Sequence, residues 1–76
     1  MGTDDLQTLA EALQARWPGV IVKVGQTDCR TRLGVAVELA NGERFALSTP
    51  AEMDWRALSM PEWLHRLTEA LAPRLS

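Results

Sequence analysis

Cys29 is the one thiol in the chain, set in "TDCRTR" between Asp28 and Arg30. A neighbouring guanidinium can lower a thiol's pKa and make it a better nucleophile. A catalytic cysteine also needs a base, and no histidine stands near it in sequence. An incidental exposed thiol accounts for Cys29. His65 is the one histidine, placed at helical spacing from Glu62 (i−3) and Glu69 (i+4). With no cysteine or second histidine beside it, this trio falls short of a zinc site and reads as a solvated helix face. Ser48 and Thr49 are explained as a strand end and a helix cap. Gly25, Gly34 and Gly42 are scattered through strands and turns, so there is no glycine-rich loop to cradle phosphate. These residue types therefore point away from catalysis, and no cofactor or metal is expected.

The bounds on the chain agree. It has 76 residues, close to the lower limit for a domain that folds without staples. A single cysteine rules out an internal disulfide framework, so the core must hold the fold, alone or with a partner. The 46% apolar content argues against disorder. The opening "MGTDDLQTL" is acidic and polar, unlike a secretory signal, and no apolar run approaches the roughly 20 residues of a membrane span. The sequence therefore reads as cytoplasmic, with no membrane partner. Seven Arg against one Lys, with many Ala and Leu, is a bias common in GC-rich bacterial or phage genomes. Net charge is −2: −2 over residues 1–19, +1 over 20–49 and −1 over 50–76. That balance fits neither a basic nucleic-acid binder nor a dense acidic mimic of DNA.

The pattern predicts a single α+β domain over 1–76. Leu6, Leu9, Ala10, Leu13 and Trp17 recur at helical spacing, giving a helix over 4–17 capped by Thr3 or Asp4 and stopped by Pro18-Gly19. "VIVKVGQ", "RLGVAVELA" and "ERFALS" alternate as strands. Thr49-Pro50-Ala51-Glu52 and Ser59-Met60-Pro61-Glu62 both match the helix-capping pattern, predicting a short helix over 50–57 and a longer one over 60–72. Met60, Leu64, Leu67 and Leu71 form the expected buried stripe of the second, with Trp63 on its flank. Pro73 should end that helix or loosen its last turn. The resulting order is α-β-β-β-α(α): a three-stranded antiparallel meander covered on one face by helices.

The register of the second hairpin decides which face stays open. Asn41-Gly42 suggests a two-residue turn, but that would pair Glu38 with Phe45 and send Phe45 and Leu47 to the wrong side. A three-residue loop, Ala40-Asn41-Gly42, pairs Leu39 with Glu43, Val37 with Phe45 and Val35 with Leu47. Gly42 then takes positive φ in a G1 bulge, and Glu38 faces Arg44 across the opposite side. That opposite face carries Ile21, Lys23, Gly25, Arg32, Gly34, Ala36, Glu38, Arg44, Ala46 and Ser48, with a small-residue centre and a basic margin.

The order α-β-β-β-α resembles the double-stranded RNA-binding fold in outline. That family carries a Lys-rich cluster at the start of its last helix. Here the position reads Ser59-Met60-Pro61-Glu62-Trp63, with no base until His65-Arg66. The resemblance covers topology and no motif.

The reading that follows is a small protein-binding module: an adaptor, inhibitor or regulatory subunit of bacterial or phage type. The alternative is a nucleic-acid-binding domain using Lys23, Arg30, Arg32 and Arg44. The expected partner-binding residues are Lys23, Arg30, Arg32, Gly34, Ala36, Arg44, Ala46, Trp55 and Arg56. Trp17, Trp55 and Trp63 fit core lids most simply, although Trp and Arg are also common interface anchors. A weak homodimer is a further expectation, through the small-residue face or the "VIVKVGQ" edge, where Lys23 is the one guard.

Overall fold

The structure is a computed structural model that describes residues 1–75. Its order is α1 (Asp4–Arg16), β1 (Ile21–Gln26), β2 (Leu33–Glu38), β3 (Arg44–Ser48), a 3-10 turn (Trp55–Ala57) and α2 (Met60–Leu75). The strands form one antiparallel sheet in the order β1-β2-β3. Val22 and Val24 of β1 and Leu33, Val35 and Val37 of β2 face the helices. Leu9 and Leu13 of α1 and Trp63, Leu67 and Leu71 of α2 close over them. The expected α+β meander with helices on one face is the observed fold.

The second hairpin has the odd loop that side-chain alternation demands. Val35 pairs with Leu47, Val37 with Phe45 and Glu38 with Arg44. The Leu39 N–H donates to the Glu43 carbonyl at 2.7 Å, and the Gly42 N–H to the Leu39 carbonyl at 3.0 Å. Gly42 sits at φ 89°, and no non-glycine residue among those described has positive φ. A Cβ at Gly42 would meet open space, so the cost of Gly42→Ala is conformational. It should be on the order of 1 kcal/mol in chemical denaturation. Asn41→Ala should cost less, although it removes the Asn41 Oδ1 that accepts the Glu43 N–H at 3.0 Å. Equal losses at the two positions would contradict this assignment.

Several expectations need correction. No helix forms over 50–57, where only the 3-10 turn is present. Thr49 does not cap a helix; its hydroxyl accepts the Leu33 N–H at 2.8 Å, and its own N–H donates to the Leu33 carbonyl at 3.0 Å. Farther along, the Thr31 hydroxyl donates to the Ala51 carbonyl at 2.7 Å, and the Trp55 N–H to the Thr31 carbonyl at 3.2 Å. These non-local bonds draw the segment across the β1–β2 turn and take groups a helix would use.

The other corrections concern the helices. Thr3 makes no side-chain cap; instead the Gly2 N–H donates to the Asp5 carboxylate at 2.9 Å. Ser59 does cap α2, its hydroxyl accepting the Glu62 N–H at 3.4 Å. Pro73 neither ends nor interrupts that helix, which runs to Leu75. It deprives only the Glu69 carbonyl of a donor, at an exposed position where water can substitute. Trp63 lies in the buried stripe, whereas Met60 and Leu64 are half-buried beside it.

Gln14 is a link that the sequence pattern did not reveal. Its amide nitrogen donates to the Trp17 carbonyl at 3.1 Å and to the Val20 carbonyl. Its Oε1 accepts the Val22 N–H at 3.0 Å. One side chain thus ties α1, the Pro18-Gly19 turn and the outer edge of β1.

Candidate functional site

Strand alternation sends Ile21, Lys23 and Gly25 of β1, Gly34, Ala36 and Glu38 of β2, and Arg44, Ala46 and Ser48 of β3 away from the helices. They form rows across the sheet: Ile21–Glu38–Arg44, Lys23–Ala36–Ala46 and Gly25–Gly34–Ser48. Among the described residues no element lies over this face. Ile21 is 51% exposed, the one large apolar residue so placed among those described. Two shallow depressions of about 530 and 450 Å³ lie on the face, the larger beside Ile21 and Arg44 and the smaller beside Gly25 and Gly34. Their shared floor is Ala36 and Ala46, where side chains end at Cβ. Gly34 keeps the smaller depression open, since a Cβ there would come within 3.0 Å of Thr27 Cγ2.

The charges on this face are few and solvated. Arg44 Nε lies 3.4 Å from Glu38 Oε1, with the arginine side chain 79% exposed. Such a pair contributes little to stability. Lys23 is exposed in the middle row, and Arg32 is exposed just before β2. The structure therefore gathers Lys23, Gly34, Ala36, Arg44 and Ala46 on one surface, with Arg32 at its end.

Trp55, Arg56 and Arg30 belong elsewhere. Trp55 is a core residue at 1% exposure, so it cannot anchor a partner from the surface. Its Nε1 donates to the Arg30 carbonyl at 3.2 Å, and its own carbonyl accepts Trp63 Nε1 at 2.7 Å. Arg56 is exposed and forks onto Asp54, Nε to Oδ1 at 3.0 Å and Nη2 to Oδ2 at 2.8 Å. Those bonds from the Arg56 side chain, then its N–H, hold the Asp54 carboxyl down at about 2. Of the three tryptophans only Trp17 is half-exposed, with the Arg16 guanidinium 5.9 Å from its ring centroid.

The reactive-residue candidates gain no machinery. The Cys29 thiol is lowered from its ordinary value, first by the Thr31 hydroxyl and next by the Thr31 backbone. Arg32 contributes least, so the cause differs from the neighbouring charge read in sequence. Sγ and the Thr31 hydroxyl are 3.3 Å apart, but that hydroxyl has one proton and also lies 2.7 Å from the Ala51 carbonyl. Only when the proton turns toward sulfur does it favour thiolate. His65 Nε2 is 3.4 Å from Glu69 Oε1 on an exposed helix face. No group of three His, Cys, Asp or Glu among the described residues is arranged to hold a metal. No described helix is long and apolar enough to cross a membrane.

A second feature lies on the helix side. Phe45 and Leu47 point toward the core but are only half-buried, whereas Val35 and Val37 beside them are each 2% exposed. A groove of about 270 Å³ runs between β3 and α2, bordered by Leu47, Met53, Trp63, Arg66 and Ala70. Met53 is half-buried there. The sequence gives no signal for this gap, because alternation sets direction and does not say how far α2 reaches. No family model, curated protein or solved structure matches this chain.

Proposed function

We propose that this protein is a small non-enzymatic protein-binding module that docks its partner on the open sheet face. The observation that carries the reading is the exposed Ile21 beside an alanine floor, within a rim of Lys23, Arg44 and Glu38, with Arg32 at the far end of the same face. Small floor residues let a partner's side chain approach the backbone. Ile21 supplies apolar area, and the rim arginines can fork to carboxylates. Nucleic-acid binding by Lys23, Arg30, Arg32 and Arg44 is the weaker reading. Arg44 already faces Glu38, and the face has no aromatic platform on which bases could stack.

A photo-crosslinking side chain at Ala36, tested in the source cell against the same group at Glu69 on α2, distinguishes the two. The module reading expects a discrete protein adduct from Ala36 that is absent from Glu69. Equal labelling from both sites counts against it. Micromolar binding of RNA or DNA with a steep salt dependence would transfer the face to the second reading.

A further inference from the structure

The hydrogen-bonding pattern fixes which backbone groups face outward. Leu39–Glu43 and Leu33–Thr49 are hydrogen-bonded pairs at the two ends of the β2–β3 ladder. Alternation then turns the N–H and C=O groups of Arg44, Ala46 and Ser48 away from β2. Among the described residues none of these groups has a hydrogen-bond partner outside the strand. The β1 edge is different: Gln14 already holds the Val22 N–H and the Val20 carbonyl. The β3 edge has no proline, lysine or bulge within Arg44–Ser48, and its one charged residue, Arg44, stands at the end of the strand. Directly beside it, Phe45 and Leu47 are the core-side residues left half-buried.

We infer that two copies of this chain associate by antiparallel pairing of β3 with β3, about a two-fold axis at Ala46. This is the register that engages all five residues of Arg44–Ser48. It sets Ala46 against Ala46, and Arg44 against Ser48 of the second copy, so no like charges oppose each other along the strands. On the core side Phe45 meets Leu47 of the second copy twice, covering the area that α2 leaves open. A register centred on Arg44 would oppose two arginines. One centred on Leu47 would set Arg44 against Pro50, which has no N–H to give.

The result is a six-stranded sheet whose open faces run together. A five-residue strand spans roughly 17 Å, a narrow contact that falls short of the standard interface of roughly 800 Å² per partner, so the association is weak. Arg66 borders the groove beside Leu47, and the Arg74 guanidinium stands 5.2 Å from the Phe45 ring. These cations flank the contact in both copies, so added salt should tighten it. The dimer would use the backbone edge of β3 and the docking reading the side chains of the open face, so either can hold without the other.

Sedimentation velocity of the full chain in reductant, from about 10 μM to about 1 mM, tests it. A concentration-dependent dimer is expected, with slowed amide exchange at Ala46 and Ser48 as it forms. Ser48→Glu places a carboxylate opposite Arg44 twice and should tighten the dimer by about 2- to 30-fold; Ser48→Arg should weaken it by a similar factor. Ala46→Pro removes an outward N–H and should leave a folded monomer, its fold checked by circular dichroism. A chain that stays monomeric throughout the range overturns the inference. So does a dimer whose affinity is the same in both Ser48 variants.

Discussion

Trp55→Ala should destabilise the protein by roughly 3–5 kcal/mol. A domain of this length holds roughly 4–11 kcal/mol in all, so the variant loses a large share of its stability. Part of the loss is the cavity left by the largest of the fully buried side chains. Part is the Nε1 bond to the Arg30 carbonyl at 3.2 Å, which pins the β1–β2 turn to the segment before α2. Trp55→Phe separates the two terms. It keeps most of the ring volume and the backbone carbonyl that accepts Trp63 Nε1. Its loss should be nearer 1–2 kcal/mol, from the missing bond and the smaller ring. Guanidinium denaturation followed by far-ultraviolet circular dichroism measures both. A loss below about 1 kcal/mol in Trp55→Ala would show that the residue is not in the core.

Trp55 also marks where reasoning from sequence stops. The strands and their register were legible because alternation has a period of two, and only an odd loop lets Phe45 and Leu47 share a side with Val35 and Val37. The open face follows from the same parity, which alone groups Lys23, Gly34, Ala36, Arg44 and Ala46 on one side. The segment 49–58 was not legible. Thr49-Pro50-Ala51-Glu52 satisfies every local requirement of a helix start. Its fate is decided by Thr31 and Leu33, far away in sequence, whose backbone and hydroxyl groups bind Thr49, Ala51 and Trp55. Local patterns cannot weigh such partners, so they offer Trp55 both as a core lid, which it is, and as a surface anchor, which its burial excludes. The half-burial of Phe45 and Leu47 was hidden for a related reason. Which side a residue faces depends on the strand, whereas how deeply it is covered depends on where a helix from another part of the chain comes to rest.

Thr49→Val tests that non-local tie. Thr49 is the one buried polar residue among those described, at 7% exposure. Its hydroxyl accepts the Leu33 N–H at 2.8 Å in a buried bond, just where β3 ends. Valine has nearly the same shape, so the substitution removes the acceptor with little change in packing. The Leu33 N–H is then left without a partner away from water, at a cost of about 1–3 kcal/mol. Thr49→Ser keeps the acceptor and loses one methyl group, and should cost no more than about 1 kcal/mol. The order of the two variants carries the test. A helix cap at an exposed Thr49 would also be kept by serine, but it would leave the Leu33 amide unaffected. Hydrogen exchange therefore decides between them. In Thr49→Val the Leu33 amide should lose protection beyond the drop in global stability, while the Val35 and Val37 amides follow the global value. Unchanged protection at Leu33 would remove the hydroxyl tie between the end of β3 and the start of β2, leaving the Thr31 bonds to Ala51 and Trp55 to account for the missing helix.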